Sequence, residues 1–313
     1  MYSHILVLLD YNQEEQSALK KALVLYKYLT AKDKNAVDLT LMVAQSHDPV
    51  SMTTLFVLDQ DRFADERQNL LHKWLLDYVK THLPDLPVKT AALYKKEVGK
   101  AVVAYSKEQC VTLIVKAKEK HTLFDDVMES PLDLQLLRNT AVPILLTSKN
   151  MESLTGPVLV GLNTFNDSEL STNMRERLLR EGKWLATFCR VGLKVVHIEA
   201  PIVPPVYNTD DIYHDDVEED INNIREFARS HKIKDEDCIF LEGSIFYELL
   251  DTIKKENPSF LILGTAARRG LSSAFLGNLC ERILASSNCD VLVLTPKTVF
   301  RNLPTPYPSK SLY

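Results

Sequence analysis

The stretch SFLILGTAARRGLSSAFLGNLCERILASSNCDVLVLTP (Ser259–Pro296) decides how the chain is read. The apolar run Phe260–Leu263 predicts a strand buried on both faces, Leu279–Ser286 predicts a helix, and Val291–Leu294 predicts a second buried strand. Gly264, Gly270 and Gly277 lie between the first strand and the helix. A glycine loop that runs into a helix start presents backbone N–H groups and the positive end of the helix dipole, and so can receive an anion. Glycines serve any tight strand-to-helix turn as well.

Working outward, HILVLLD (His4–Asp10) is another continuous apolar run ending in a polar residue, the form of a central parallel strand. A helix is expected over Glu14–Ala31, with Glu14 and Glu15 in its first turn where the dipole favours acids. Strands at Val37–Ala44, Val88–Tyr94, Leu113–Val115 and Val142–Leu146 alternate with helices at Arg62–His82, Val98–Glu108 and Leu132–Arg138. The first half is therefore βαβαβαβαβ.

The pattern then restarts. PVLVGLN matches HILVLLD, FLILGT matches LIVKAK, and CDVLVLT matches AVPILLT, at a nearly constant offset of about 150 residues. Three matched strands in the same order argue for duplication of a whole domain. The polar run KNMESLTG (Lys149–Gly156) marks the break: domains at 1–149 and 157–299, a linker at 150–156 and a Pro-rich tail at 300–313. The second copy has its own first helix, Met174–Cys189, and second strand, LKVVHIE.

Composition narrows the function classes. A net charge of −5 gives no global field for nucleic acid or acidic membranes, so neither is expected as a partner. The five cysteines are scattered without a CxxC pair, which suits a reducing compartment, and no apolar run reaches the roughly 20 residues of a membrane span. The reading is a cytoplasmic protein. The acids of DDVEED (Asp215–Asp220) are read as dipole partners at a helix start, and His121 with Asp125 and Asp126 as solvated loop residues, so no metal is assigned. The loop APIVPPVYNTDDIYH (Ala200–His214) has no period; long irregular loops are often functional, and a surface loop fits equally.

Two copies of a five-stranded parallel unit, the segment EGSIFYELL and the loop GTAARRGLSSAFLGN before a helix together resemble the universal stress protein family in its tandem form. AFLGN followed by Glu281 resembles the E-type members. The resemblance implies an α/β fold of two tandem Rossmann-like (HUP-type) domains and a stress-response role. In nucleotide-binding members of the family the loop is G-x2-G-x9-G-[ST], and an Asp after the first strand contacts adenine. Gly264 and Gly277 match the outer glycines, Ala267 replaces the middle one, Asn278 replaces the hydroxyl residue, and Asn163 stands at the Asp position of copy two. Positive φ at Ala267 would cost about 1–2 kcal/mol, which favours a reshaped loop. Arg268 and Arg269 add two guanidiniums able to grip phosphate, or to point into water. Copy one keeps Asp10 but has no glycine between Lys116 and Arg138, and reads as structural.

The resemblance thus implies at most one nucleotide site, for ATP with magnesium or for AMP, built in copy two from Asn163, Gly264, Arg268, Gly270, Gly277 and Asn278. The alternative is a scaffold, or a binder of another small or apolar ligand in the sheet crevices. No GxSxG, HExxH or Walker motif is present, and Cys280 is read as a small buried residue, so an enzyme is not expected. Single-copy members of the family tend to dimerise through their last strands, so the tandem chain is read as an internal pseudo-dimer and a monomer in solution, with room for a protein partner.

Overall fold

The structure is a computed structural model describing residues 2–32, 37–46, 60–119, 132–148, 155–162, 169–199, 213–264 and 278–295. Residues 1–149 and 150–298 form two compact units.

In the first unit the elements follow as β1 (His4–Leu9), α1 (Ser17–Lys32), β2 (Asp38–Ser46), α2 (Gln60–His82), β3 (Lys89–Lys95), α3 (Val98–Glu108), β4 (Leu113–Ala117), α4 (Leu132–Asn139) and β5 (Ile144–Thr147). The strands lie in the order β3-β2-β1-β4-β5, every pair parallel. Parallel neighbours need crossover connections, and right-handed crossovers put α1 and α2 on one face and α3 and α4 on the other. Helices on both faces leave β1 no solvent side, and all six of its residues are buried. Helices α3 and α4 are joined through the Gln135 side chain, whose Oε1 accepts the Gly99 N–H at 3.1 Å. A Cβ at position 99 would collide with that side chain, so glycine permits the contact.

The second unit repeats this with β6 (Val158–Gly161), α5 (Glu169–Cys189), β7 (Leu193–Glu199), α6 (Tyr213–Ser230), a 3-10 turn (Asp235–Asp237), β8 (Cys238–Glu242), α7 (Ile245–Glu256), β9 (Phe260–Gly264), α8 (Asn278–Ser286) and β10 (Asp290–Leu294). Its strand order is β10-β9-β6-β7-β8, again all parallel. The registers repeat as well as the order. Ile5 pairs with Leu39 and Leu113, and Val158 pairs with Leu193 and Phe260. Among the described residues no helix is long and apolar enough to cross a membrane.

Boundaries differ from expectation where polar side chains set them. Helix α1 begins at Ser17 with no acid in its first turn, so Glu14 and Glu15 precede it. The cause is Gln16, whose Oε1 accepts the Asp10 N–H at 2.9 Å and whose Nε2 donates to the Asp10 and Gln13 carbonyls at 2.7 and 2.6 Å. That side chain staples the turn and delays the helix, and Glu15 pairs with Lys20 instead. Helix α5 starts at Glu169, ahead of the apolar period that begins at Met174. Helices α3, α5 and α6 end through Cys110, Arg190 and Lys232 at φ 51°, 57° and 59°, without glycine. In each the residue beyond donates back to the last turn: Val111 to Ser106, Val191 to Ala186 and Ile233 to Ala228, at 2.8, 3.0 and 3.0 Å.

His4 closes the amino-terminal end of the first sheet. Its Nδ1 donates to the Gln109 carbonyl at 2.8 Å, and Nε2 lies 2.9 Å from the Thr40 hydroxyl, which donates to it when the ring is neutral. Burial pushes its pKa below 6.5, against the raising effect of the Gln109 hydrogen bond. A His with a lowered folded pKa lets the unfolded chain bind its proton first, so stability falls as pH drops below the unfolded value. Urea unfolding should therefore show the stability advantage of wild type over His4→Gln shrinking between about pH 7.5 and about pH 5.5; a constant difference would contradict the assignment.

Candidate functional site

In a doubly wound parallel sheet, ligands bind beyond the carboxyl ends of the strands, where the order reverses. In the second unit that place lies between β6 and β9. Their pairing ends at Val160↔Ile262, whereas β6 still pairs with β7 at Gly161↔Val196, so the backbones part at Gly161. A Cβ on Gly161 would stand 3.0 Å from Leu263 Cδ2, so glycine permits the close approach just before the split. Gly264 ends β9 exposed, with Leu178 and Met174 of α5 beside it. The next described residue, Asn278, opens α8.

Two polar side chains at the carboxyl end of this sheet were not singled out by the sequence patterns. His197, buried in β7, places Nδ1 3.2 Å from the Leu162 carbonyl and Nε2 3.1 Å from Glu199 Oε2. The Leu162 carbonyl immediately precedes position 163, so this ring fixes the exit of the chain from β6. Arg177, buried in α5, donates from Nη1 to the Thr295 carbonyl at 2.7 Å, which brings a guanidinium to the carboxyl end of β10. In the first unit a neutral contact ties α1 to the end of β5, Ser17 Oγ to Thr147 Oγ1 at 3.2 Å. The signal for His197 was a polar position inside an apolar run, and Arg177 shares the apolar face of α5 with Glu181, which is also buried.

At the corresponding place in the first unit the chain's own side chains serve the start of α4. Lys116 at the end of β4 is buried, and its Nζ reaches Glu119 Oε1 at 2.5 Å and the Ala117 carbonyl at 3.2 Å. Glu119 Oε2 accepts the Leu132 N–H at the start of α4 at 3.2 Å. Asp133, fully buried, accepts the Leu134 N–H through Oδ1 at 2.8 Å and the Glu119 N–H through Oδ2 at 3.3 Å. Two internal carboxylates thus satisfy first-turn N–H groups of α4 and take the favourable position at its dipole. Asp10 is likewise engaged locally, its Oδ1 accepting the Asn12 N–H at 2.9 Å.

Both units match the model of the universal stress protein family, over residues 1–148 and 158–295. The chain belongs to the universal stress protein family. It is 25% identical over 311 residues to universal stress protein E of Salmonella typhi, with 95% of each chain covered. The universal stress protein E homolog of Haemophilus influenzae is 24% identical, with 94% of this chain and 98% of that one covered. Among solved structures, a universal stress protein from Archaeoglobus fulgidus shares the fold with a TM-score of 0.62 at 15% identity, covering 94% of this chain and 96% of that one.

Of the residues expected to form a nucleotide site in this universal stress protein, Gly264 stands at the crevice and Asn278 opens α8. Asn163, Arg268, Gly270 and Gly277 lie outside the described residues, as do Ala267, Arg269 and the His121 loop. Among the described residues no group of three or more His, Cys, Asp or Glu is placed to hold a metal.

The carboxylate arrangement in the first unit has an energetic signature. Glu119→Ala strands the buried Lys116 ammonium and the Leu132 N–H, and should destabilise the protein by about 1–3 kcal/mol in urea unfolding. Adding Lys116→Met should recover part of that loss. No loss in the single variant would mean that the pair does not hold the start of α4.

Proposed function

We propose that this universal stress protein is a non-enzymatic ligand sensor with one nucleotide site, in the second unit. The site is formed around Asn163, Gly264, Arg268, Gly270, Gly277 and Asn278 and takes ATP with magnesium, or AMP. The observation that carries the reading is the difference between the two units at equivalent places. In the first, Glu119 and Asp133 already serve the helix start, whereas in the second the split at Gly161 and Gly264 is followed by a glycine loop entering α8. The buried Arg177 supports it by adding positive charge at the same end of the sheet. The protein is taken to act in the cytoplasm, as a monomer carrying both copies, with ligand occupancy as its signal in a stress response.

A second reading has its own support. Met174 and Leu178 beside Gly264 form an apolar wall, and Ala267 and Asn278 depart from the family loop, which favours a small apolar ligand in the same crevice.

Melting the protein with ATP and magnesium separates the two. A ligand at 100 times its dissociation constant adds about 2.7 kcal/mol, a rise of several degrees. That rise is expected for wild type and should vanish in Gly277→Trp. No shift at millimolar ATP would end the nucleotide reading, and a shift that survives Gly277→Trp would move the site elsewhere. AMP and cAMP serve as further probes: one solved universal stress protein, from Arabidopsis thaliana, holds AMP and another solved member is in complex with cAMP.

A further inference from the structure

A separate groove of about 500 Å³ opens in the second unit between α6 and the edge strand β8. One wall is a single stripe of α6, namely Asn222, Arg225, Glu226 and Arg229, at the spacing of one helix face. The other wall is Cys238 and Phe240, alternate residues on one face of β8, and Asp235 of the 3-10 turn lines the groove as well. The volume lies in the range of small-molecule sites.

The charges in this groove are unequally committed. Arg229 is held by Asp235 through Nε at 2.8 Å and through Nη2, a paired fork that neutralises both. Arg225 is fixed in position: its guanidinium lies 5.0 Å from the centroid of the Phe240 ring, and Nη1 donates to Asn222 Oδ1 at 2.9 Å. Among the described residues its Nε and Nη2 make no hydrogen bond, and the Glu226 carboxylate makes no hydrogen bond or close ion pair, although its charge also acts on Arg229. The groove therefore offers one positioned guanidinium and one carboxylate beside an apolar strand face. Burial raises the Cys238 pKa, with Asp235 acting in the same direction, so the thiol stays neutral and belongs to the apolar wall.

We infer that this groove binds a small zwitterion, a free short peptide whose carboxylate pairs with Arg225, whose ammonium pairs with Glu226, and whose apolar side chain lies along Cys238 and Phe240. A stacked guanidinium meets a carboxylate through two parallel N–H bonds, geometry that lysine cannot supply. A simple anion would leave Glu226 facing it, and a simple cation would meet Arg225. The site is independent of the crevice between β6 and β9, and its occupancy is compatible with either reading of that crevice.

The test uses the full chain and three probes followed by titration calorimetry: glycyl-phenylalanine, its C-terminal amide and its N-acetyl derivative. Wild type should bind the free dipeptide, and each blocked form should bind about tenfold more weakly or worse, the loss expected for one charge-assisted hydrogen-bond pair. Arg225→Gln should no longer distinguish acid from amide, and Glu226→Gln should no longer distinguish amine from N-acetyl. Arg225→Lys keeps the charge without the fork and should lie between, which retains the test if Arg225→Gln does not fold. Absence of binding at about 10 mM free dipeptide, weaker than any useful affinity on the scale of a millimolar site, overturns the inference. Equal binding of all three probes, or wild-type discrimination in both variants, overturns it as well.

Discussion

The parallel pairing of β6 with β9, two strands far apart in sequence, is the contact on which the second unit depends. Parallel neighbours cannot be joined by a tight turn, so a crossover must carry the chain over a face of the sheet. Right-handed crossovers then cover both faces, which buries the central strands entirely and makes them continuous apolar runs. The same rule sends the connections of β6 and β9 to opposite faces, so a crevice opens at their carboxyl ends. Fold and candidate site are consequences of one constraint. The first unit obeys it through β1 and β4 in the same register.

In the first unit the chain itself serves the start of the fourth helix. Its leading N–H groups have no partner within the helix and must be met by side chains, solvent or a ligand. Helix α4 meets them with Glu119 and Asp133, and Lys116 balances the charge. Such an arrangement needs no glycine, because no external group has to approach the backbone. The glycine-bearing loop of the second unit fits the opposite case, in which a ligand supplies the oxygens.

The fold was legible because burial on both faces writes itself as apolar runs, and HILVLLD, PVLVGLN and FLILGT announced the duplication directly. Helix starts were less legible. The apolar period gives the face of a helix and not its first residue, so Gln16 could delay α1 past Glu14 and Glu15 unseen. His197 and Arg177 were visible as polar positions among apolar ones, but their partners, the Leu162 and Thr295 carbonyls, lie just beyond the ends of β6 and β10. Asp133 stands in the first turn of α4, where an acid is ordinary, and only packing reveals that it is fully buried. The groove of Arg225 and Glu226 arises from the placement of α6 beside β8, which no local pattern encodes.

On the proposed reading, two units of one fold divide into a self-satisfied copy and a ligand-accepting copy. Hydrogen–deuterium exchange with and without ATP and magnesium tests this division by location. Slowed exchange is expected in peptides spanning Gly264 to Asn278, with peptides spanning Lys116 to Leu132 unchanged. Protection in the Lys116–Leu132 peptides, with none between Gly264 and Asn278, would contradict it.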